Sequence, residues 1–399
     1  MAYMNLETSR KVMKRHQIDA IVATSAADFC YTSGYHLKGG FLPGASIIPA
    51  DPALEPIIVV SQYEERMARN KSHFKDIRTY NSWVELVDIK NITDGKQTRV
   101  PKPSYFDDKI LCGLLSEALK EKKLHGGTIG VRMDSMTHRV YSLLSEKNPK
   151  ARFVDAGIIL DEIQKVKTRD GIEALRMAAS IGAKGIEGMI DESVIGATVS
   201  ELQLRYRKSV IQQITKDNIM QFTFGRGNSV IVGDPFVSLE SATHKVSPGD
   251  SVFIDCGVLI NGHQSDMGRH FIAGKPSPLQ TKIYRALLKG YEAGLLMMKP
   301  KVKLKEIYNV VHDTIRGNGL DWYTRGHVGH SVGMYPPGEQ PPYISPNEET
   351  ELEPNMVMCL ETPLYVNGLG AFIIEDMILI TPEGHEVLTL LPRDLVELK

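Results

Sequence analysis

Apolar positions recur at helical spacing over residues 6–15 and then close up into an unbroken run at 19–24, a helix followed by a buried strand. The alternation continues. Strands are predicted at 45–49, 56–60, 128–132 and 152–155, and helices near 62–69, 109–122 and 135–145. Strand and helix in turn imply a layered α/β domain over residues 1–157, with 28–35 and the polar stretch 88–104 as loops. From residue 158 to 399 the pattern is different. Two long helices are expected at 170–190 and 198–214, the second opened by the capping box Thr198-x-x-Glu201. Strands at 220–224 and 230–232 flank Gly225-Arg226-Gly227-Asn228, which lacks both a following helix and a GK[ST] ending and is not read as a phosphate loop. Helices at 278–298 and 304–318 then repeat the order helix, helix, strands, which suggests an internal duplication with a site at the seam.

The most informative stretch is SVFIDCGVLINGHQSDMGRHF, residues 251–271, where two strand-like runs meet at Asn261-Gly262. With those two residues central to a tight turn, Ile260 faces His263, Gly257 faces Asp266, and Asp255 faces Gly268. Asp255 and Asp266 are then diagonal neighbours on one face. Two such carboxylates repel and are tolerated with a proton or a cation between them, although Asp-x-Gly is also ordinary turn chemistry. Three later segments add candidates. GHVGHSVG (326–333) carries His327 and His330, MVMCLE ends in Glu361, and AFIIEDMILI places Glu375 and Asp376 inside an apolar strand, where an ionised group needs a partner. A three-residue loop at 367–369 sets Glu361 opposite Glu375, whereas a two-residue loop at Asn367-Gly368 turns them to opposite faces. The sequence leaves both open.

Composition narrows the class without naming the chemistry. At 399 residues, 42% hydrophobic and 24% charged, the chain fits two or three ordinary globular domains. Its net charge of -1 gives no reason to expect a nucleic acid or an acidic membrane as partner. The four cysteines lie far apart with no CxxC pair, which fits a reducing cytoplasm better than a disulfide framework or a structural zinc cluster. No run of about 18 apolar residues predicts a membrane span, and the opening residues lack the apolar core of a signal peptide.

Taken together, IDCGVLINGHQSD, GHVGHSVG, MCLETPLY and IIEDMILIT resemble the motifs of the pita-bread metallopeptidases: methionine aminopeptidase, aminopeptidase P, prolidase and creatinase. The first domain, with IDAIVAT and YTSGY, is similar to the creatinase/prolidase amino-terminal domain. The resemblance implies an α/β amino-terminal domain and an α+β pita-bread catalytic domain. It implies Asp255, Asp266, His330, Glu361 and Glu375 as ligands of two divalent ions, manganese first and cobalt, iron or zinc as alternatives, with Glu361 as general base. Such an oxygen-rich, acidic set suits a dinuclear site better than a single structural zinc. A homodimer is likewise implied. The sequence also departs from the family. Gly233 and Pro337 stand where relatives carry histidines, and Ile373 stands where they carry an arginine. His327, Tyr335, His263 and Arg269 are the candidates to contact substrate in their place, His327 also as a catalytic group. The expected activity is hydrolysis of a C–N bond in a small peptide, nominally by an Xaa-Pro dipeptidase or aminopeptidase. The alternatives are a creatinase- or ectoine-hydrolase-like enzyme acting on a small amide, and an inactive binding module.

Overall fold

The computed structural model describes residues 3–37, 42–82, 89–95, 107–217, 219, 221–225, 229–235, 241–334 and 339–399. The chain divides into two compact units, Met1–Gln164 and Lys165–Lys399.

In the first unit, β1 (Ala20–Ala23), β2 (Ala45–Pro49), β3 (Ile57–Ser61), β4 (Asp76–Tyr80), β5 (Thr128–Val131) and β6 (Arg152–Asp155) form a mixed sheet in the order β4-β3-β2-β1-β5-β6. The inner strands β1, β2 and β3 are buried along their whole length, which is why they read as continuous apolar runs. Strand β4, DIRTY, gave no such signal because it lies at the sheet edge and stays half exposed. The expected loop at 28–35 is instead mostly the helix Ala26–Ser33, capped by the Ser25 side chain and ended by Gly34 at φ 66°. Six of its eight residues are buried, so it has no polar stripe to reveal a helical period. Of the polar stretch 88–104, Ile89–Thr93 is helical and most of the remainder lies outside the described residues.

The strands of the second unit are β7 (Phe222–Phe224), β8 (Ser229–Val232), β9 (Ser251–Cys256), β10 (Val258–Ile260), β11 (His263–Gln264), β12 (Met267–Ala273), β13 (Gly329–Ser331), β14 (Gln340–Tyr343), β15 (Val357–Glu361), β16 (Leu364–Val366), β17 (Gly370–Phe372), β18 (Glu375–Ile380), β19 (His385–Val387) and β20 (Val396–Leu398). The main sheet runs β14-β13-β15-β18-β12-β9-β8. Helices Arg169–Ile190 and Val199–Lys216 pack on one core, and Pro278–Met297 and Leu304–Gly317 on another. Strand alternation divides the two cores: β15 sends Val357 and Cys359 into the first and Met358 and Leu360 into the second. The helix-helix-strand order thus occurs twice, and the two halves of the sheet join where β12 pairs with β18 at Gly268 and Glu375.

Candidate metal centre

Two turns set the register of the acidic residues. Asn261 (φ 48°) and Gly262 (φ 79°) form the expected tight turn, with Ile260 paired to His263, Cys256 to Met267 and Asp255 to Gly268. Gly257 is required between the two aspartates, because a Cβ there would fall 1.8 Å from the Ser265 carbonyl oxygen. The second hairpin takes the three-residue loop. Val366 pairs with Gly370, so Glu361 faces Glu375 directly. Asp234 steadies that loop by accepting a hydrogen bond of 2.7 Å from the Gly368 N–H. Gly233, at the place of an expected histidine, takes φ 62° beside Asp250 and supplies no side chain.

The result is a convergence of groups from four strands and the short link between β11 and β12. Carboxylate oxygens of Asp255, Asp266 and Glu375 all lie within 4.8 Å of one another. His330 Nδ1 donates to the Ser331 carbonyl oxygen at 3.0 Å, which orients the ring with Nε2 toward the carboxylates. That Nε2 is 3.7 Å from Glu375 Oε1 and 3.9 Å from Asp266 Oδ2. Burial, reinforced by Glu361, pushes the Asp255 carboxyl up to about 7. Burial also raises Asp266, which is flanked by Glu375 and Asp255, and Glu375, which is flanked by Asp255 and Glu361. An imidazole held by its far nitrogen and three carboxylates that cannot all ionise together form a donor set suited to divalent cations.

Glu361 makes a different set of contacts. Its Oε1 accepts from Arg325 Nη2 at 3.3 Å and lies 3.2 Å from His327 Nδ1, while His327 Nε2 lies 3.6 Å from Glu339 Oε2. His327 is one-quarter exposed, and its basicity is lowered by burial despite the pull of Glu361. Beneath His330, the buried Lys167 ammonium donates to Ser331 Oγ at 2.8 Å, and burial brings it down to about 7. An apolar wall completes the surroundings. Ile231, Phe253, Ala371 and Ile373 cluster together, Ile373 fills the space above Gly268, and the Tyr365 ring leans on Phe253 with centroids 5.7 Å apart.

Two of the expected substrate contacts lie elsewhere. Arg269 is 2% exposed and alternates away from Gly268 and Asp266. Its guanidinium donates to the carbonyl oxygens of Gly268, Glu375, Leu391 and Pro392, and pairs with Asp376 at 2.5 Å. Arg269 therefore clips together β12, which follows Asp266, and β18, which carries Glu375, at the point where they pair. Asp376 is the partnered ion that the apolar strand required; Arg393 Nε at 2.6 Å and the Tyr291 hydroxyl at 2.5 Å complete its shell. Removing one member of a buried ionic network costs about 3–5 kcal/mol. Asp376→Ala is expected to lose that much in urea unfolding, and a loss below about 1 kcal/mol would show the network to be idle. His263 is also displaced from the carboxylates. It is 3% exposed, pairs with Ile260 on the face opposite Asp266, and abuts Gly171 in the first turn of helix Arg169–Ile190. Tyr335 and Pro337 lie outside the described residues. Arg325, Glu339, Lys167 and Cys359 were not anticipated. Arg325, two residues before His327, offered the clearest signal, a cation beside a glycine- and histidine-rich turn.

Comparison with known proteins identifies the family of both units. The model for metallopeptidase family M24 matches residues 173–382, more than half of the chain, and that for the creatinase/prolidase N-terminal domain matches residues 6–166. The Xaa-Pro dipeptidase of Pyrococcus furiosus is 25% identical over 391 residues, 98% of this chain and 99% of that protein. Among solved structures, prolidase from Pyrococcus furiosus has a TM-score of 0.75 at 23% identity, covering 96% of this chain and 99% of its own. The Xaa-Pro dipeptidase from Bacillus anthracis has a TM-score of 0.79 at 21% identity, covering 99% and 100%. Both have the same fold of an α/β creatinase-type amino-terminal domain followed by a pita-bread domain. With its acidic cluster on the strands of the matched segment, the chain belongs to metallopeptidase family M24, whose members are metal-dependent hydrolases.

Proposed function

We propose that this protein is a dinuclear-metal-dependent dipeptidase or aminopeptidase that cleaves the C–N bond of short peptides, with Xaa-Pro substrates as the first class to test. The observation that carries this reading is the meeting of Asp255, Asp266 and Glu375 within 4.8 Å, with His330 Nε2 turned toward them. In this reading Asp255, Asp266, His330, Glu361 and Glu375 hold two divalent ions, manganese first. When bound, such ions lower the pKa of a coordinated water and polarise the scissile carbonyl.

The chain supplies the rest. Glu361 takes the water proton, with Arg325 fixing its Oε1. His327, beside that same oxygen, passes a proton toward the leaving amine. Phe253, Ile373 and Tyr365 form an apolar seat for a ring such as that of proline. His327→Ala is expected to cost about 10²- to 10³-fold in kcat. An unchanged kcat would return His327 to a packing role.

One observation favours a second reading. The position where related peptidases carry an arginine is Ile373, buried in the apolar cluster, so a small non-peptide amide of the creatine or ectoine type is the alternative substrate. The buried acidic cluster argues against a third reading, a metal-free binding module, which has no use for one. A screen of Xaa-Pro dipeptides against ectoine and creatine, run with metal analysis, separates all three. Dipeptide turnover supports the first and amide turnover the second. Under about 0.2 metals per chain after manganese addition supports the third. The reading also includes a homodimer and a reducing cytoplasm, consistent with four free buried cysteines.

A further inference from the structure

The donor atoms fall into two overlapping triads that share Glu375. One is Asp255, Asp266 and Glu375. The other is His330, Cys359 and Glu375, again with all donor atoms within 4.8 Å of one another. Glu361, the fifth of the implied ligands, is turned toward Arg325 and His327. Cys359 stands directly across from His330 in the β13–β15 pairing, and Glu361 follows two residues later on the same strand. The Cys359 sulfur is fully buried and lies 3.6 Å from the Asp266 carbonyl oxygen, a long contact for a thiol donor. Cys30, Cys112 and Cys256 join no such triad among the described residues.

We propose that Cys359 is a further metal ligand in this chain, adding a sulfur donor to the ion held by His330 and Glu375. This rests on the metallohydrolase reading above and deepens it. The site is chemically lopsided. The aspartate side offers oxygen alone and suits manganese, whereas the histidine side offers nitrogen, oxygen and sulfur and favours softer ions such as zinc, cobalt or cadmium. One chain would therefore hold two unlike ions when both kinds are supplied.

The test uses the full-length protein loaded with cobalt(II). The wild type is expected to show a near-ultraviolet sulfur-to-cobalt charge-transfer band that saturates at one equivalent, is absent from Cys359→Ser and persists in Cys256→Ser. In competition experiments Cys359→Ser is expected to lose about 10- to 100-fold in cadmium affinity while its first manganese affinity changes little. X-ray absorption of the zinc-loaded wild type needs no variant and is expected to show a sulfur scatterer at about 2.3 Å. Cobalt binding with neither band nor sulfur scatterer overturns the inference and leaves the metallohydrolase reading intact. A band that survives in Cys359→Ser overturns it as well. Failure to bind any divalent ion sinks both.

Discussion

Asp266→Ala or Glu375→Ala is expected to abolish turnover, with kcat falling by roughly 10³-fold or more, while the protein stays folded. Glu375 belongs to both donor triads, so its loss leaves neither intact. Asp266 is the carboxylate that His330 Nε2 approaches from the opposite half of the sheet, at 3.9 Å. The fold should survive because the acidic groups oppose one another in metal-free protein: burial and the neighbouring carboxylates hold Asp266 and Glu375 well above their ordinary range. Removing one relieves repulsion on the other two, which offsets much of the packing lost. Metal content, kcat and melting temperature measured on the same preparations check all three statements. Turnover within tenfold of the parent would remove these residues from the centre.

The second large effect is a pH-dependent gap in stability between metal-loaded and metal-stripped protein. Asp255 is shifted from 3.8 to about 7 in the fold, and Asp266 and Glu375 are raised too. A carboxyl with a raised pKa stabilises the folded state fully below its unfolded value, and that contribution is lost as pH climbs through the folded value. Stripped protein should therefore weaken relative to loaded protein between about pH 4 and pH 7. The titration is shared among Asp255, Asp266 and Glu375, and the gap in melting temperature is expected to widen by several degrees across this window. The difference is the proper measure, because other groups titrate in both forms. His270, held neutral by burial at about 3, gains stability as pH rises through the same window. Lys167, lowered to about 7, contributes no slope below that pH because it is then protonated in both states. Melting curves with manganese and with a chelator at pH 4, 5.5 and 7 suffice. A gap that stays constant across them would show that the carboxylates do not share protons in the stripped site.

Much of this was legible in the chain because it depends on neighbours in sequence. Asn261-Gly262 can adopt two successive positive φ angles, and that local preference alone set the pairing of Asp255 with Gly268. Thr198 and Glu201 close the capping box that opens helix Val199–Lys216, as their spacing implied. The motifs around the five acidic and histidine positions likewise carried the family.

Only the tertiary structure decided what depends on contacts between segments well separated in the chain. Whether Glu361 faces Glu375 turned on one residue of loop length, and Asp234, held at the end of a distant strand, ties down the three-residue form. Arg269 and Arg325 are both arginines near a ligand motif. One is locked by carbonyls of residues 375, 391 and 392, and the other reaches Glu361 from a different turn. Cys359 reads in the chain as one more apolar residue of a buried strand, and β13 makes it a neighbour of His330. Local backbone preference is short-ranged and written in adjacent residues. Which face of a strand meets a cation, a carbonyl or a core is fixed by the burial of the whole sheet, so the same side chain takes opposite roles on its two sides.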